Sequence, residues 1–248
     1  MKEPRDRFSP SFAFGPRKKQ DEPARPTPAA PPRAAPVPPA APQVPAPPAA
    51  AAPPSQPAPG AGEQAPAPQA AGTFRQWAGG ASRATVAIAF TDIVSSAALG
   101  MKLGDRAMDV LRQAHFQHTA SLVQRHNGYV IKTIGDSVMA AFHAAAEALD
   151  FAMAVHADPG DPRIQVRVGI HVGPVTVEDR DAHGSAVNFA ARVVGTPKGA
   201  EIWISNEAKG HVDMEGVPEY ANLPWQTHSG LELKGFPGKH ILWSIAMR

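Results

Sequence analysis

Cysteine is absent from the 248-residue chain, which excludes a disulfide framework and a thiolate-ligated structural zinc, and fits a reducing compartment. No run approaches the roughly 18 consecutive apolar residues that a spanning helix needs, and the start Met1-Lys2-Glu3-Pro4-Arg5-Asp6 lacks an apolar signal core. The expectation is a soluble, cytoplasmic protein with no membrane span. A Gly-x-x-x-x-Gly-Lys-Ser/Thr phosphate loop is also missing, which disfavours a P-loop ATPase. Charge of one sign is scarce as well. The net charge is +2, yet residues 1–20 alone carry six Lys/Arg against Glu3 and Asp6, or +4, so the remainder sums to −2. A nucleic-acid partner is therefore not expected from bulk charge.

Proline is plentiful but confined: of 28 in the chain, 21 precede residue 73. Ala-Pro repeats cannot build a core, because proline removes backbone donors and alanine offers little apolar area to offset chain entropy. Residues 1–72 are expected to be a disordered tail and Pro/Ala-rich linker, and residues 73–248 one folded domain. Within the tail, Phe8, Phe12 and Phe14 stand beside Arg17-Lys18-Lys19. That composition suits either a docking peptide for an unidentified partner or an unstructured terminus.

From Thr73 onward the pattern becomes periodic. Ala84 to Phe90 is apolar on both faces and predicts a central strand that Asp92 closes. Asp105 to Arg125 places Met108, Leu111, Phe116, Ala120 and Val123 at helical spacing, with Asn127-Gly128 as the stop. Tyr129 to Ile134, Gly135-Asp136 and Val138 to Phe142 read as a β-hairpin with a carboxylate at its tip. An alanine-rich helix over Ala144 to His156 follows. Ile164 to Val172 alternates as a strand, which Gly173-Pro174 is expected to turn into Val175 to Glu178. Gly184 to Thr196 predicts a third helix with Asn188 and Arg192 on one face and Val187, Ala191 and Val194 packing the other. Glu201 to Ser205 predicts a strand, Ser205 or Asn206 a helix cap, and Leu231 to Ile245 two strands around a Gly/Pro loop. Strand, helix, hairpin, helix and strand make an α+β fold.

Four segments, Val86 to Val94, Lys132 to Asp136, Val168 to Gly173 and Gly184 to Arg192, together resemble the class III nucleotidyl cyclase catalytic domain, in the family's order, over about residues 82 to 246. The resemblance implies a ferredoxin-like βαββαβ sheet with helices packed on it and an extra C-terminal strand pair. It implies an adenylate cyclase that converts ATP to 3′,5′-cyclic AMP and pyrophosphate. Asp92 and Asp136 match the family's metal-binding aspartates, with the backbone carbonyl of Ile93 as a further ligand, for two Mg2+ or Mn2+ ions per site. Lys132 and Asp181 fall on the base-reading positions. An ammonium donor suits adenine N1 and a carboxylate accepts from the exocyclic amine, whereas guanine presents the reverse pattern. Asn188 and Arg192 match the transition-state pair, and Lys234 the residue that binds the terminal phosphates. His171 reads as a packed residue.

In this family the carboxylates come from one protomer and the base-reading and transition-state residues from the other, so a head-to-tail homodimer is implied. Ser95-Ser96-Ala97 departs from the family's frequent Gly-Ser-Thr after the first aspartate. Three competing readings stand beside this one: a cyclase for GTP or a pyrimidine nucleotide, a non-catalytic cyclase-like binding domain, and an RNA-binding sheet. The last would need exposed aromatics on strands and a basic face. Since no core is expected before Thr73, deleting residues 1–72 should leave the melting temperature unchanged; a drop of several degrees in thermal unfolding would contradict the linker reading.

Overall fold

The computed structural model describes residues 72–246, so the tail and linker expected over residues 1–72 lie, Gly72 apart, outside the described residues. The elements follow in the order α1 (Phe74–Trp77), β1 (Arg83–Ile93), α2 (Ser96–Leu103), α3 (Asp105–Arg125), β2 (Tyr129–Ile134), β3 (Ser137–Phe142), α4 (Ala145–Ala157), β4 (Val166–Val177), β5 (Ala182–His183), α5 (Ser185–Val194), β6 (Ile202–Ser205), α6 (Asn206–Glu215), α7 (Pro218–Ala221), β7 (Trp225–Leu233) and β8 (Phe236–Ile245). The sheet order is β2-β3-β1-β4-β6-β8-β7, with β5 paired to β4. Its β2-β3-β1-β4 half is the expected ferredoxin-like arrangement, and the β7–β8 pair extends it.

Because β1 is apolar on both faces, the sheet is covered on both sides. Ala87, Ala89 and Ile93 face a core shared with α3, α4 and α6. Val86, Ile88 and Phe90 face a second cluster built with α1 and α5. On α3 the predicted positions Met108, Leu111, Phe116, Ala120 and Val123 are all buried, and Asn127 ends the helix at φ +59. The first turn of α4 begins at Ala144, which cannot cap. Its backbone donors are instead satisfied from α6, where Glu215 accepts from Ala145 N at 2.9 Å and Ala146 N at 2.7 Å.

Several boundaries differ from the sequence expectation. Gly173-Pro174 does not turn the chain, because β4 continues to Val177 with Thr85 opposite Pro174. Pairing to β6 ends at Ile170 and pairing to β5 begins at Thr176. Proline's missing donor therefore falls where that edge of β4 is unpaired. The Gly/Pro loop of the C-terminal hairpin is a tight turn at Lys234-Gly235, with Gly235 at φ +88, Pro237 and Gly238 lie within β8, and β7 starts earlier than expected, at Trp225. Helices α1 and α2 were not expected. On α5 the buried residues are Ala186, Phe189, Ala190, Val193 and Val194, while Val187 and Ala191 are only partly covered.

The position of α5 is set by Gly169 on β4. A Cβ there would lie 2.2 Å from Val194 N and 2.5 Å from its Cα, both backbone atoms that cannot rotate away. The absence of that one side chain lets the helix carrying Asn188 and Arg192 rest on the sheet. Gly169→Ala is expected to cost about 1–3 kcal/mol through overpacking and to lower the melting temperature by several degrees. An unchanged thermal midpoint would show that α5 does not press on β4 at this point.

Candidate active site

The end of β1 and the tip of the β2–β3 hairpin meet at one end of the sheet. Ile134 pairs with Ser137 across the two-residue turn, with Gly135 at φ +59, and Thr91 pairs with Val138. Ser137 Oγ consequently donates to Asp92 Oδ1 at 3.0 Å, and Asp136 is the residue just before Ser137. Both carboxylates are about one-fifth exposed, 21% and 22%, so they remain within reach of solvent and ligands. The Ile93 side chain is buried, which leaves only its backbone carbonyl for coordination. Two carboxylates and a carbonyl are hard oxygen donors of the kind that Mg2+ and Mn2+ take. Among the described residues no group of three or more His, Cys, Asp or Glu could cage a metal. A pair of carboxylates, with other positions left to water and phosphate oxygens, still fits Mg2+.

Each of these carboxylates also bears an arginine that the sequence reading did not single out. Arg167 on β4 stands opposite Asp92 in register, and its Nε donates to Asp92 Oδ2 at 2.8 Å while Nη1 donates to Pro197 O at 3.0 Å. Arg112 on α3 donates from Nε to Asp136 Oδ1 at 2.6 Å and from Nη1 to Asp109 Oδ1 at 2.7 Å. Burial opposes the Arg112 charge, but its bonds to Asp136 and Asp109 outweigh that and raise its pKa. A charged residue inside the apolar run Val166 to Ile170 was the available signal for Arg167. Arg112 is one of several charges on a solvated helix face and carried none. Ser95, at φ +56, occupies the left-handed region just before α2, at a place where glycine would carry no Cβ penalty.

Lys132 and Asp181 meet within the chain: Lys132 Nζ lies 2.7 Å from Asp181 Oδ2. Asp181 is further held by its own loop, since Glu178 N donates to Asp181 O at 2.9 Å and Ala182 N to Asp181 Oδ1 at 2.7 Å. His183 Nε2 approaches the same carboxylate at 3.4 Å. Asn188 and Arg192 are exposed on α5. Arg192 Nε donates to Lys234 O at 3.1 Å, so the β7–β8 turn and α5 are joined beside a cavity of about 300 Å³ lined by both residues. His171 is packed, as expected: its Nδ1 is 2.8 Å from Ser205 Oγ and its ring is 4.5 Å from that of Phe189 on α5.

Residues 81–245 match the family described as the adenylate and guanylate cyclase catalytic domain. A putative adenylate cyclase 3 of Rhizobium meliloti is 31% identical over 163 residues, covering 59% of this chain and 28% of that protein. An adenylate cyclase of Streptomyces coelicolor is 32% identical over 120 residues, covering 47% of this chain and 32% of that protein. The chain thus spans about a third or less of these two relatives. Among solved structures, the adenylyl cyclase CyaB from P. aeruginosa superposes with a TM-score of 0.58 at 20% identity, covering 67% of this chain and 95% of that one. A guanylate cyclase domain from Catenaria anguillulae in complex with GTP gives 0.54 at 24%, covering 66% and 97%. These two likenesses concern the fold.

Burial lowers the pKa of His171 below the usual 6.5, against the opposing pull of Glu207, and burial likewise lowers His115, against its bond to the Pro159 carbonyl. The unfolded chain then binds more protons than the native one as pH falls below about 6.5. The stability these histidines contribute is full above that pH and is lost on acidification toward their lower native values. Melting temperature should therefore fall between pH 7.5 and 5.5, and His171→Gln together with His115→Gln should flatten the slope. An identical pH slope in the double variant would remove these residues from the account.

Proposed function

This chain belongs to the adenylate and guanylate cyclase catalytic domain family, and we propose that it is an adenylate cyclase, forming 3′,5′-cyclic AMP and pyrophosphate from ATP at sites shared by two copies. The observation that carries the choice of base is the 2.7 Å pair of Lys132 and Asp181. Placed that close, an ammonium donor and a carboxylate acceptor can address adjacent positions of one purine edge. They supply the donor for adenine N1 and the acceptor for its exocyclic amine. Adenine entering between them exchanges one charge-assisted contact for two hydrogen bonds to the base.

Asp92, Asp136 and the Ile93 carbonyl are suited to hold two Mg2+ or Mn2+ ions, which when bound would favour ionisation of the ribose 3′ hydroxyl and neutralise phosphate charge. The chain's own groups supply the rest. Asn188 orients the ribose, so that its hydroxyl lies in line with the α-phosphorus. The Arg192 guanidinium faces the phosphorus where negative charge develops, a place where fixed cations act with little reorganisation. Lys234 binds the leaving pyrophosphate oxygens. The bond from Arg192 to the Lys234 carbonyl keeps the two cationic residues in fixed relation.

A homodimer completes this arrangement, with the carboxylates of one chain opposite Lys132, Asp181, Asn188 and Arg192 of its partner. Asp92→Ala and Arg192→Ala chains should each be inactive with all four nucleoside triphosphates. Mixing them in equal amounts gives about half heterodimers, each with one intact site of two, so cyclic AMP formation should recover to roughly a quarter of the unmodified rate. No recovery, with heterodimers verified by differently tagged chains, would refute the shared site. Cyclisation of GTP in preference to ATP by the unmodified protein would refute the base assignment.

A further inference from the structure

We infer that helix α1 is a positioning element for the base-reading loop, and that Arg75 acts on Asp181 through Asp179. The inference rests on the assignment of Asp181 to base recognition and extends it to a residue more than a hundred positions earlier. Arg75 Nε donates to Asp179 Oδ1 at 2.7 Å, and the Arg75 backbone N–H approaches the Asp179 carbonyl at 3.5 Å. Asp179 lies inside the loop that Glu178 N and Asp181 O close at 2.9 Å. Arg75 thus grips the loop between its hinge and the residue that contacts Lys132.

A four-residue helix has no stability of its own, so the grip is useful only if α1 is itself immobile. Packing makes it so. Phe74 is fully buried, in the same apolar cluster as Val177 and Ala182, which flank the loop, and Ile131, which precedes Lys132. Its ring lies 5.6 Å from Trp77 and 5.5 Å from Tyr129, and Trp77 stacks on His143 at 3.9 Å. Thr73 caps the helix by accepting from Gln76 N, Gln76 Oε1 in turn accepts from Thr73 N, and Val177 N donates to Ser82 O at 2.9 Å. Three side chains of α1 therefore bind the roots of the loop, the hairpin strand bearing Lys132, and the loop itself.

The consequence is a mechanical link. Helix α1 is thereby coupled through Asp179 to Lys132 and Asp181. The expected signature is an effect on nucleotide affinity with little effect on turnover.

The ion pair is exposed, with Arg75 at 39% and Asp179 at 76%, so a two- to fivefold effect is the scale to expect. In the full chain, Arg75→Asp should raise KM for ATP by about two- to fivefold with kcat little changed. It should also speed amide hydrogen exchange at Glu178 and Ala182 by a similar factor. Adding Asp179→Arg should restore both quantities, and Arg75→Gln should give the smaller effect of a lost charge. Unchanged exchange, failure of the reversed pair to restore it, or a lowered melting temperature with KM unaltered would each overturn the positioning role. If the unmodified protein cyclises no nucleotide, the adenylate cyclase reading fails on its own, and the exchange rates still decide whether Arg75 orders the loop.

Discussion

The antiparallel ladder between β1 and β4 is the constraint on which the rest depends. It runs unbroken from Arg83 opposite Thr176 to Ile93 opposite Val166. At one end that register sets Arg167 across from Asp92. At the other it delivers the chain to the loop holding Asp181. In the middle it presents Gly169, whose missing side chain admits the backbone of α5. A slip of one residue would turn Asp92 to the opposite face and put a side-chain-bearing residue beneath Val194. The ladder resists such a slip because it would separate Arg167 from Asp92 and press a Cβ onto the Val194 backbone.

A second regularity is charge compensation within one chain. Asp92 is paired with Arg167, Asp136 with Arg112, and Asp181 with Lys132. Asp92 and Asp136, near one end of the sheet, repel one another, and the arginines from neighbouring elements relieve that repulsion locally. Any ligand entering such a site exchanges existing ion pairs for new ones. Its net gain is then a difference between two favourable sets of contacts, which favours discrimination between ligands over raw affinity.

Much of this could be read from the chain alone, for identifiable reasons. The hairpin at Gly135-Asp136, the buried positions of α3 and the Ser205 cap, whose Oγ accepts from Ala208 N at 3.1 Å, follow from local rules of turn chemistry, periodicity and capping. Pro174 misled because proline is a turn signal only where its missing donor would otherwise be paired, and pairing belongs to β5 and β6, not to the local sequence. The face of α5 was misplaced by about one position. Its burial is centred on contact with Gly169, and a helix of small residues offers several similar apolar stripes.

By itself the sequence determined the types of the main strands and of helices α3 to α6, the two aspartates at strand ends, the Asn188 and Arg192 face, and the family to which these blocks belong. All of them are expressed within short windows, where backbone preference and side-chain period act. Tertiary structure alone decided that Arg167 and Arg112 neutralise Asp92 and Asp136, that Glu215 caps a helix some seventy residues before it, and that Arg75 reaches Asp179. Those contacts join residues far apart along the chain, and only the closed sheet register and the packing of helices on its two faces bring them within hydrogen-bonding distance.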